Sequence, residues 1–454
     1  MNKGWYILGI VIILASLPFH QALLSVIGLL IILVIGVTDI WEKYCLRNLR
    51  YARSFSERRA LFGERVTLSL SVENAKLLPL PWIEARDMVP RALPIAEQQV
   101  SINIFGDSFY LDNMFSSRWY ERVTRRYTVL CNARGVHKFG PTTLRSGDVF
   151  GFLTREETLN NLQYLLVYPL IVPLTRFSLP ARHPFGDRRA PRRLLEDPSR
   201  IIGVRDYVYG DSLRRVHWKA TARTMQLQSK VYEATTTYTL ITFLNVAPHF
   251  DAHYGLQTEL RELAICAAAS VADWAINEGY AVGLYANTLM FMPEAGMKPP
   301  TEPESETAQS SGATDVEEQR NARRIHLPPA TSEGQRTRIM ETLARIQPYH
   351  GSNIEDVIQT ERSRLPAGAT VVVVTSTVSE RLLDTLDRVR RAGHAVTILF
   401  TGDEPPPTKF AGVTVYHLGG TEMWQRLEKA YSIEGVPDEN PVAIPERIPI
   451  GLQL

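Results

Sequence analysis

Cysteine is scarce in this sequence: the 454 residues include only Cys45, Cys131 and Cys266, far apart and without a Cys-x-x-Cys spacing. This odd, scattered set argues against a disulfide framework or a zinc ribbon, and reduced thiols fit a cytosolic environment. A Gly-x-x-x-x-Gly-Lys phosphate loop is also lacking, so we do not expect this chain to bind ATP through such a loop. Any ATPase activity linked to its function must then belong to a partner protein. The formal net charge of +2 gives no overall attraction to nucleic acid, and we expect no nucleic-acid partner.

The length of the chain exceeds what a single hydrophobic core usually supports, which predicts a multidomain protein. The pattern of apolar residues, turn residues and composition divides the chain into successive segments. These are a transmembrane hairpin (1–41), a β-sandwich domain (55–175), a connector (176–237), an α/β domain (238–434) and a tail (435–454).

Charged side chains are absent from Trp5 to Val37. Two apolar runs, residues 5–17 and 22–37, flank the turn residues 18–21, which predicts an N-terminal transmembrane helical hairpin. At about 1.5 Å per residue the first run covers only about 20 Å, so a re-entrant hairpin is the alternative. A signal peptide is disfavoured, because a second apolar run follows and no small-x-small cleavage site separates the two.

Lysine and arginine are absent between the two apolar runs but frequent after the second, where Lys43, Arg47 and Arg50 begin a basic stretch. Such flanking cations resist translocation. The sequence therefore predicts a two-pass protein of the cell membrane, in contact with membrane lipid, with both termini and the soluble domains in the cytoplasm.

Beyond the hairpin, residues 66–72 alternate apolar and polar side chains strictly, and further short apolar runs are separated by turn residues. This is typical of an antiparallel β-sandwich. From residue 238 onward, strand-like runs such as 239–244 and 371–374 alternate with helical stretches, which predicts a parallel sheet covered by helices. Residues 293–335 are rich in Pro, Glu, Ser and Thr and are predicted to be a disordered insertion; the Pro-rich tail is predicted to be loose as well.

Residues 205–223 combine acids, bases and aromatic residues more densely than any other segment. The turn residues around Gly210 suit a strand-to-helix turn, with Asp211 or Ser212 capping a helix that ends near Arg223. Arg214 and Trp218 would share one face of that helix. Two interpretations stay open: a docking surface, or a structural clasp of ion pairs that holds the connector.

This block resembles the signature of the bacterial domain-of-unknown-function fifty-eight family, close to Arg-x-Tyr-x-x-Gly-Asp-x-x-Arg-x-x-(His/Asp)-Trp-x-x-(Thr/Ser)-Ala-Arg. The matching positions are Arg205, Tyr207, Gly210, Asp211, Arg214, His217, Trp218, Thr221, Ala222 and Arg223. The likeness extends to Gly147-Asp148 and to the N-terminal helix pair. It implies a membrane-anchored protein with a von Willebrand factor A-like domain, encoded beside a MoxR-type AAA+ ATPase and transglutaminase-like membrane proteins.

An A-like domain normally binds a divalent cation through an Asp-x-Ser-x-Ser loop after its first strand, because hydroxyl and carboxylate oxygens form a hard site. Here that loop carries Asn245, Ala247 and His249. The resemblance therefore implies a degenerate site, and we expect neither metal nor cofactor. A weaker alternative is a transition-metal site formed by His249, Asp251 and His253.

Residues 210–213 read Gly-Asp-Ser-Leu, the four residues after which a family of serine esterases is named. In such an esterase Ser212 would be the nucleophile. No Asp-x-x-His follows it, and helix capping explains a serine at this position. The missing catalytic constellation therefore predicts a non-enzymatic, membrane-anchored scaffold that binds a partner protein. The family resemblance implies that this partner is a MoxR-type AAA+ ATPase, bound through the A-like domain and the signature helix. The alternatives are a metal-dependent or serine hydrolase and a structural component of cell-envelope assembly.

Overall fold

The computed structural model of the protein describes residues 4–19, 22–96, 101–102, 108–148, 153–177, 179, 185, 196–209, 211–234, 238–246, 250–251, 255–290, 324–332, 334–346, 352–406, 412–432 and 446–449. The chain divides into two compact units, one of Met1–Tyr168 with Ala430–Leu454 and one of Pro169–Lys429. This agrees with the multidomain organisation that the length predicts.

The α-helices of the described residues are α1 to α8 in chain order. Their bounds are Gly4–Phe19, Ala22–Tyr44, Trp218–Thr224, Thr258–Asn277, Gly334–Ala344, Ile354–Glu361, Glu380–Arg391 and Gly420–Tyr431.

The first unit begins with two apolar helices, α1 and α2, that pack against each other. Gly9 and Gly28 permit a close approach, since a Cβ on Gly28 would lie 2.9 Å from the Gly9 carbonyl oxygen. The Ser16 and Ser25 hydroxyls also lie 2.5 Å apart across this interface. Helix α2 is long and apolar enough to cross a membrane, whereas the apolar part of α1 is shorter. An apolar N-terminal helix that could anchor the chain in a membrane is therefore present.

Strands β1 to β11 follow the two helices. Their bounds are Leu49–Phe55, Arg59–Ala60, Arg65–Asn74, Leu80–Pro90, Ser101–Ile102, Ser108–Ser117, Glu121–Leu130, Gly135–Phe139, Thr142–Gly147, Thr154–Leu159 and Gln163–Val167.

The alternating pattern of β3 places its apolar side chains on one buried face of the strand, as the sequence predicts. Val66, Leu68, Leu70 and Val72 are all buried, and burial of each such side chain contributes about 1.5–3 kcal/mol. Antiparallel sheets with the orders β1-β3-β7 and β10-β9-β4-β6-β5 contribute to one core cluster. A smaller sheet, β2-β11-β8, contributes to the same cluster and is mixed, because β2 is parallel to β11 and β8 is antiparallel to it. The prediction of antiparallel sheets in this segment is confirmed.

The second unit contains strands β12 to β21. Their bounds are Glu196–Asp206, Gln228–Ala234, Thr239–Leu244, Phe250–Asp251, Gly255–Leu256, Ala281–Leu289, Arg324–Ala330, Thr370–Thr375, Ala395–Phe400 and Thr414–His417.

Six of these strands form a mixed sheet with the order β18-β17-β14-β19-β20-β21. All neighbours are parallel except β18, which is antiparallel to β17. The central strands β14 and β19 are apolar and buried along most of their length, as expected for strands covered on both faces. The first crossover leads from β14 to β17 and a later one to β19 on the other side, so the crevice at the carboxyl end of β14 lies at a topological switch point.

Two segments that the sequence analysis treats as unstructured contain strands. Strand β18 lies within the predicted insertion 293–335, as do the first residues of α5, while residues 293–323 lie outside the described residues. A last strand, β22 (Glu446–Pro449), lies in the predicted loose tail and pairs antiparallel with β7. In both cases the strand pairs with a partner distant in sequence, and composition carries no signal for that partner.

Candidate functional site

The signature block lies on a β-hairpin of the second unit. Strands β12 and β13 pair antiparallel, with Arg205 opposite Ser229 and Asp206 opposite Gln228. The block begins at the end of β12 and occupies the long connection to β13. Gly210 lies outside the described residues.

Asp211 closes the start of this connection. Its Oδ1 accepts a hydrogen bond from Arg205 Nη2 at 2.8 Å, and its Oδ2 accepts one from the Val208 backbone N–H at 3.1 Å. The Tyr207 hydroxyl donates to the Asp211 carbonyl oxygen at 2.9 Å. The hydrogen bond from Arg205 is the main cause that lowers the pKa of the Asp211 carboxyl group. The carboxylate therefore joins β12 to the turn that follows it.

A second set of contacts ties the later part of the block to β13. His217 donates its backbone N–H to the Gln228 carbonyl oxygen at 2.8 Å, and Thr221 Oγ1 accepts from the Gln228 N–H at 3.0 Å. His217 Nδ1 accepts the Ala220 backbone N–H at 3.0 Å and so caps α3. Neutral His217 then carries its proton on Nε2, because Nδ1 is the acceptor.

The single helix predicted from Asp211 or Ser212 to Arg223 is wrong. Residues Leu213–Arg215 form a short 3-10 helix, Val216 is extended, and α3 begins only at Trp218. The break arises because Val216 is buried and forms a β-bridge with Ser229, which a helix would not permit. Ser212 makes no side-chain cap hydrogen bond.

The remaining signature side chains point to solvent. Trp218 is 68% exposed, so its ring is not packed into the core of the second unit. We define the signature face as the exposed apolar and cationic side chains of this connection. Its members are Val208, Tyr209, Leu213, Arg214, Trp218, Lys219, Arg223, Met225 and Leu227. The hairpin thus separates two roles: Arg205, Tyr207, Asp211, His217 and Thr221 hold the connection together, and the signature face is presented outward.

The predicted degenerate cation site lies at the carboxyl end of β14 and contains neutral groups. Asn245 Nδ2 donates to Thr375 Oγ1 at 3.0 Å, and Asn287 Nδ2 donates to Asn245 Oδ1 at 2.8 Å. Asn287 Oδ1 in turn accepts the buried Val246 N–H at 2.8 Å. These amides and hydroxyls satisfy each other and cross-link β14, β17 and β19, whereas a hard divalent cation is usually held by carboxylates.

Several proposed metal ligands cannot be placed: Ala247, His249 and His253 lie outside the described residues, and for Asp251 only the backbone in β15 is described. Among the residues that the structure does describe, no group of three or more His, Cys, Asp or Glu side chains could hold a metal ion.

Sequence reasoning missed two residues of these networks. Asn287 is a polar residue inside an otherwise apolar strand, which is a usable signal in the sequence. Gln228 carries no such signal, because its role depends on the pairing of β12 with β13.

Comparison with known proteins supports the assignment of the signature. Residues 203–301 match the model of the family described as a protein of unknown function, DUF58, which confirms the resemblance inferred from the signature block. A relative from Bacillus subtilis (strain 168), described as uncharacterized protein YeaD, is 24% identical over 196 residues. That alignment covers 42% of this chain and 46% of the relative, so the chain matches less than half of the relative's length.

Solved structures with local likeness include a cohesin module from a Clostridium perfringens family 33 glycoside hydrolase, 12% identical, which covers 26% of this chain and 95% of that chain with a TM-score of 0.19. The sporulation control protein Spo0M from Bacillus subtilis is also 12% identical, covering 26% of this chain and 49% of that chain with a TM-score of 0.16. At these TM-scores neither likeness carries an argument about fold or function.

Proposed function

We propose that this protein is a membrane-anchored, non-enzymatic adaptor that binds a partner protein through the signature face of its second unit. The observation that carries the proposal is the exposure of Trp218 among cationic neighbours, on a hairpin that other residues hold together. Exposed tryptophan and arginine side chains are the types that dominate binding energy at protein interfaces.

The anchor in this proposal is a two-pass hairpin of α1 and α2. The glycine contacts and the serine pair between these helices support it, because such small-residue packing is typical of helices associated in a membrane. The lysines and arginines that follow α2 support a cytoplasmic location for both termini and both soluble units.

The mixed sheet of the second unit is proposed to be an A-like domain in which the neutral network at Asn245 replaces the cation site. The parallel order around β14 and the helices between the strands support this assignment. The family resemblance suggests a MoxR-type AAA+ ATPase as the partner, with a transglutaminase-like membrane protein as a further neighbour. The three cations of the signature face, Arg214, Lys219 and Arg223, favour a partner surface with acidic groups.

Non-enzymatic function is part of the proposal. Ser212 and His217 are close in sequence, but His217 Nδ1 is occupied by the Ala220 N–H, so that nitrogen is unavailable as a base toward a serine hydroxyl. The hydrolase alternative therefore gains no support from the geometry of the signature block.

The test is affinity capture of the tagged, detergent-solubilised full-length protein from its native membrane, followed by mass spectrometry. Wild type is compared with a variant carrying Arg214→Ala and Trp218→Ala, and with a matched control, Met114→Ala, which removes an exposed apolar side chain from the first unit. We expect an AAA+ ATPase to be recovered with wild type and control and lost with the double variant. Equal recovery with all three proteins, or with none, would contradict docking at the signature face.

A further inference from the structure

Two exposed apolar side chains lie on turns at one end of the sheets in the first unit. Leu77 is 73% exposed on the turn between β3 and β4, and Trp119 is 61% exposed on the turn between β6 and β7. We call residues 75–79 and 118–120 the proximal turns. Neither side chain contributes to the core, so the fold gives no reason for an apolar residue at either position.

The proximal turns are adjacent to each other. Asn74 Nδ2 donates to the Leu78 carbonyl oxygen of one turn at 2.9 Å and to the Arg118 carbonyl oxygen of the other at 2.8 Å. The Tyr120 N–H donates to the Lys76 carbonyl oxygen at 3.3 Å. These bonds fix both turns as one surface.

The same surface is tied to the end of helix α2. Lys76 Nζ donates to the carbonyl oxygens of Cys45 and Arg47, the second at 2.7 Å, and the Ala75 N–H donates to the Asn48 carbonyl oxygen at 3.1 Å. Since α2 ends at Tyr44, the proximal turns contact the first residues after the helix. If α2 crosses a membrane, this end of the sheets lies beside the membrane surface.

The charges around the proximal turns suit an anionic surface. Lys43, Arg47 and Arg118 are exposed. The nearby acids are engaged within the chain, since Glu73 pairs with Arg50 and Arg122, and Glu121 accepts the Arg118 N–H. Cations beside a bilayer gain from anionic headgroups, and tryptophan and leucine side chains favour the interface between headgroups and acyl chains.

We propose that Leu77 and Trp119 insert into the interface of the membrane that α2 crosses, so that the sheets of the first unit rest directly on an anionic lipid surface. The inference rests on the membrane position of α2 in the proposed function and is independent of the signature face. It gives the first unit a role in holding the chain in a fixed orientation to the bilayer.

The chain offers a matched pair of labelling sites for the test. Leu61 is another exposed leucine, 58% exposed, at the opposite end of β3. Because β3 has 10 residues, the two leucines are separated by about 30 Å along the strand. The three native cysteines are buried, so a thiol-reactive fluorophore labels an introduced surface cysteine selectively.

Full-length Leu77→Cys and Leu61→Cys variants are labelled with bimane and reconstituted into phosphatidylcholine vesicles with and without phosphatidylglycerol. A nitroxide-bearing lipid then quenches any label at the interface. We expect the label at position 77 to lose about half or more of its emission, more strongly with phosphatidylglycerol, and the label at 61 to lose little. Equal, weak quenching of both labels would overturn the inference and leave the proximal turns available to a protein.

Flotation of the same vesicles separates this inference from the membrane anchor. If the protein floats with the vesicles while the label at 77 stays in water, the anchor stands and the inference is wrong. If the protein does not float, the anchor itself fails, and the inference fails with it. A Trp119→Cys variant, labelled in the same way, repeats the measurement on the second turn and must agree with the result at 77.

Discussion

Replacement of Arg53 by methionine tests how far one buried ion pair stabilises the first unit. The side chains of Arg53 and Asp87 are both 0% exposed, and Arg53 Nη1 donates to Asp87 Oδ1 at 2.8 Å. Arg53 Nη2 also donates to the Phe139 carbonyl oxygen at 2.9 Å. The Asp87 carboxylate accepts two further hydrogen bonds, from Tyr51 and Thr142.

The expected loss follows from what the substitution leaves behind. Methionine fills much of the volume of arginine but leaves the carboxylate of Asp87 buried without its cation, and removing one partner of a buried pair costs about 3–5 kcal/mol. Replacing both partners by apolar residues removes the uncompensated charge as well. The double variant Arg53→Met, Asp87→Leu is therefore expected to lose clearly less than the sum of the two single losses.

Acidity provides a second readout. Burial raises the pKa of Asp87, and the Arg53 charge opposes that rise. Without Arg53 the folded state holds the carboxyl proton more tightly than the unfolded state, so the free energy of unfolding of the variant falls as pH increases. The deficit of Arg53→Met relative to wild type should therefore shrink on acidification.

Hydrogen exchange of backbone amides in β3 and β7, on the full-length protein in detergent, measures the opening free energy of this unit. The expected loss for Arg53→Met and the expected non-additivity in the double variant both depend on an uncompensated buried charge. A loss below about 1 kcal/mol for Arg53→Met, or additive losses in the double variant, would therefore refute the reasoning.

Two further outcomes concern the second unit. Burial lowers the pKa of His394. Below about pH 6.5 the unfolded state therefore binds more protons than the folded state, and stability is lost on acidification. A His394→Leu variant should lose less stability than wild type between pH 7 and pH 5, as measured by thermal unfolding. Substitution of Asn287 by alanine leaves the Val246 N–H buried without its acceptor, which should lower the free energy of unfolding by about 1–3 kcal/mol. Hydrogen exchange should then be faster only at the backbone amides of β14 and β17.

The sequence predicts those parts of the fold in which buried side chains recur at a regular spacing along a short stretch of the chain. Residues 66–72 alternate because one face of β3 is buried, and residues 371–374 are uniformly apolar because β19 is buried along most of its length. In both cases the pattern of a few neighbouring residues carries the information.

The parts that the sequence does not predict depend on partners far along the chain. Strand β18 contains two prolines and follows a segment of low hydrophobicity, yet it forms the edge of the sheet by pairing with β17. The break in the signature helix has the same origin, since Val216 forms its bridge with Ser229. Composition and helical periodicity describe neither interaction, so the sequence favours a disordered segment and a continuous helix.

Substitutions in the signature face and in the hydrogen bonds that hold the hairpin together should have different effects. Comparison of these effects distinguishes a docking surface from a structural clasp. Trp218 is exposed, so the hairpin loses little packing when it is replaced by alanine. Asp211, in contrast, holds Arg205 and the Val208 N–H, so Asp211→Ala should raise amide exchange across the connection between β12 and β13. We expect Trp218→Ala to lose the captured partner with unchanged exchange, and Asp211→Ala to lose the partner together with the local order. If Trp218→Ala raised exchange as strongly as Asp211→Ala, the ring would be part of the clasp, and the docking surface would have to lie elsewhere on the chain.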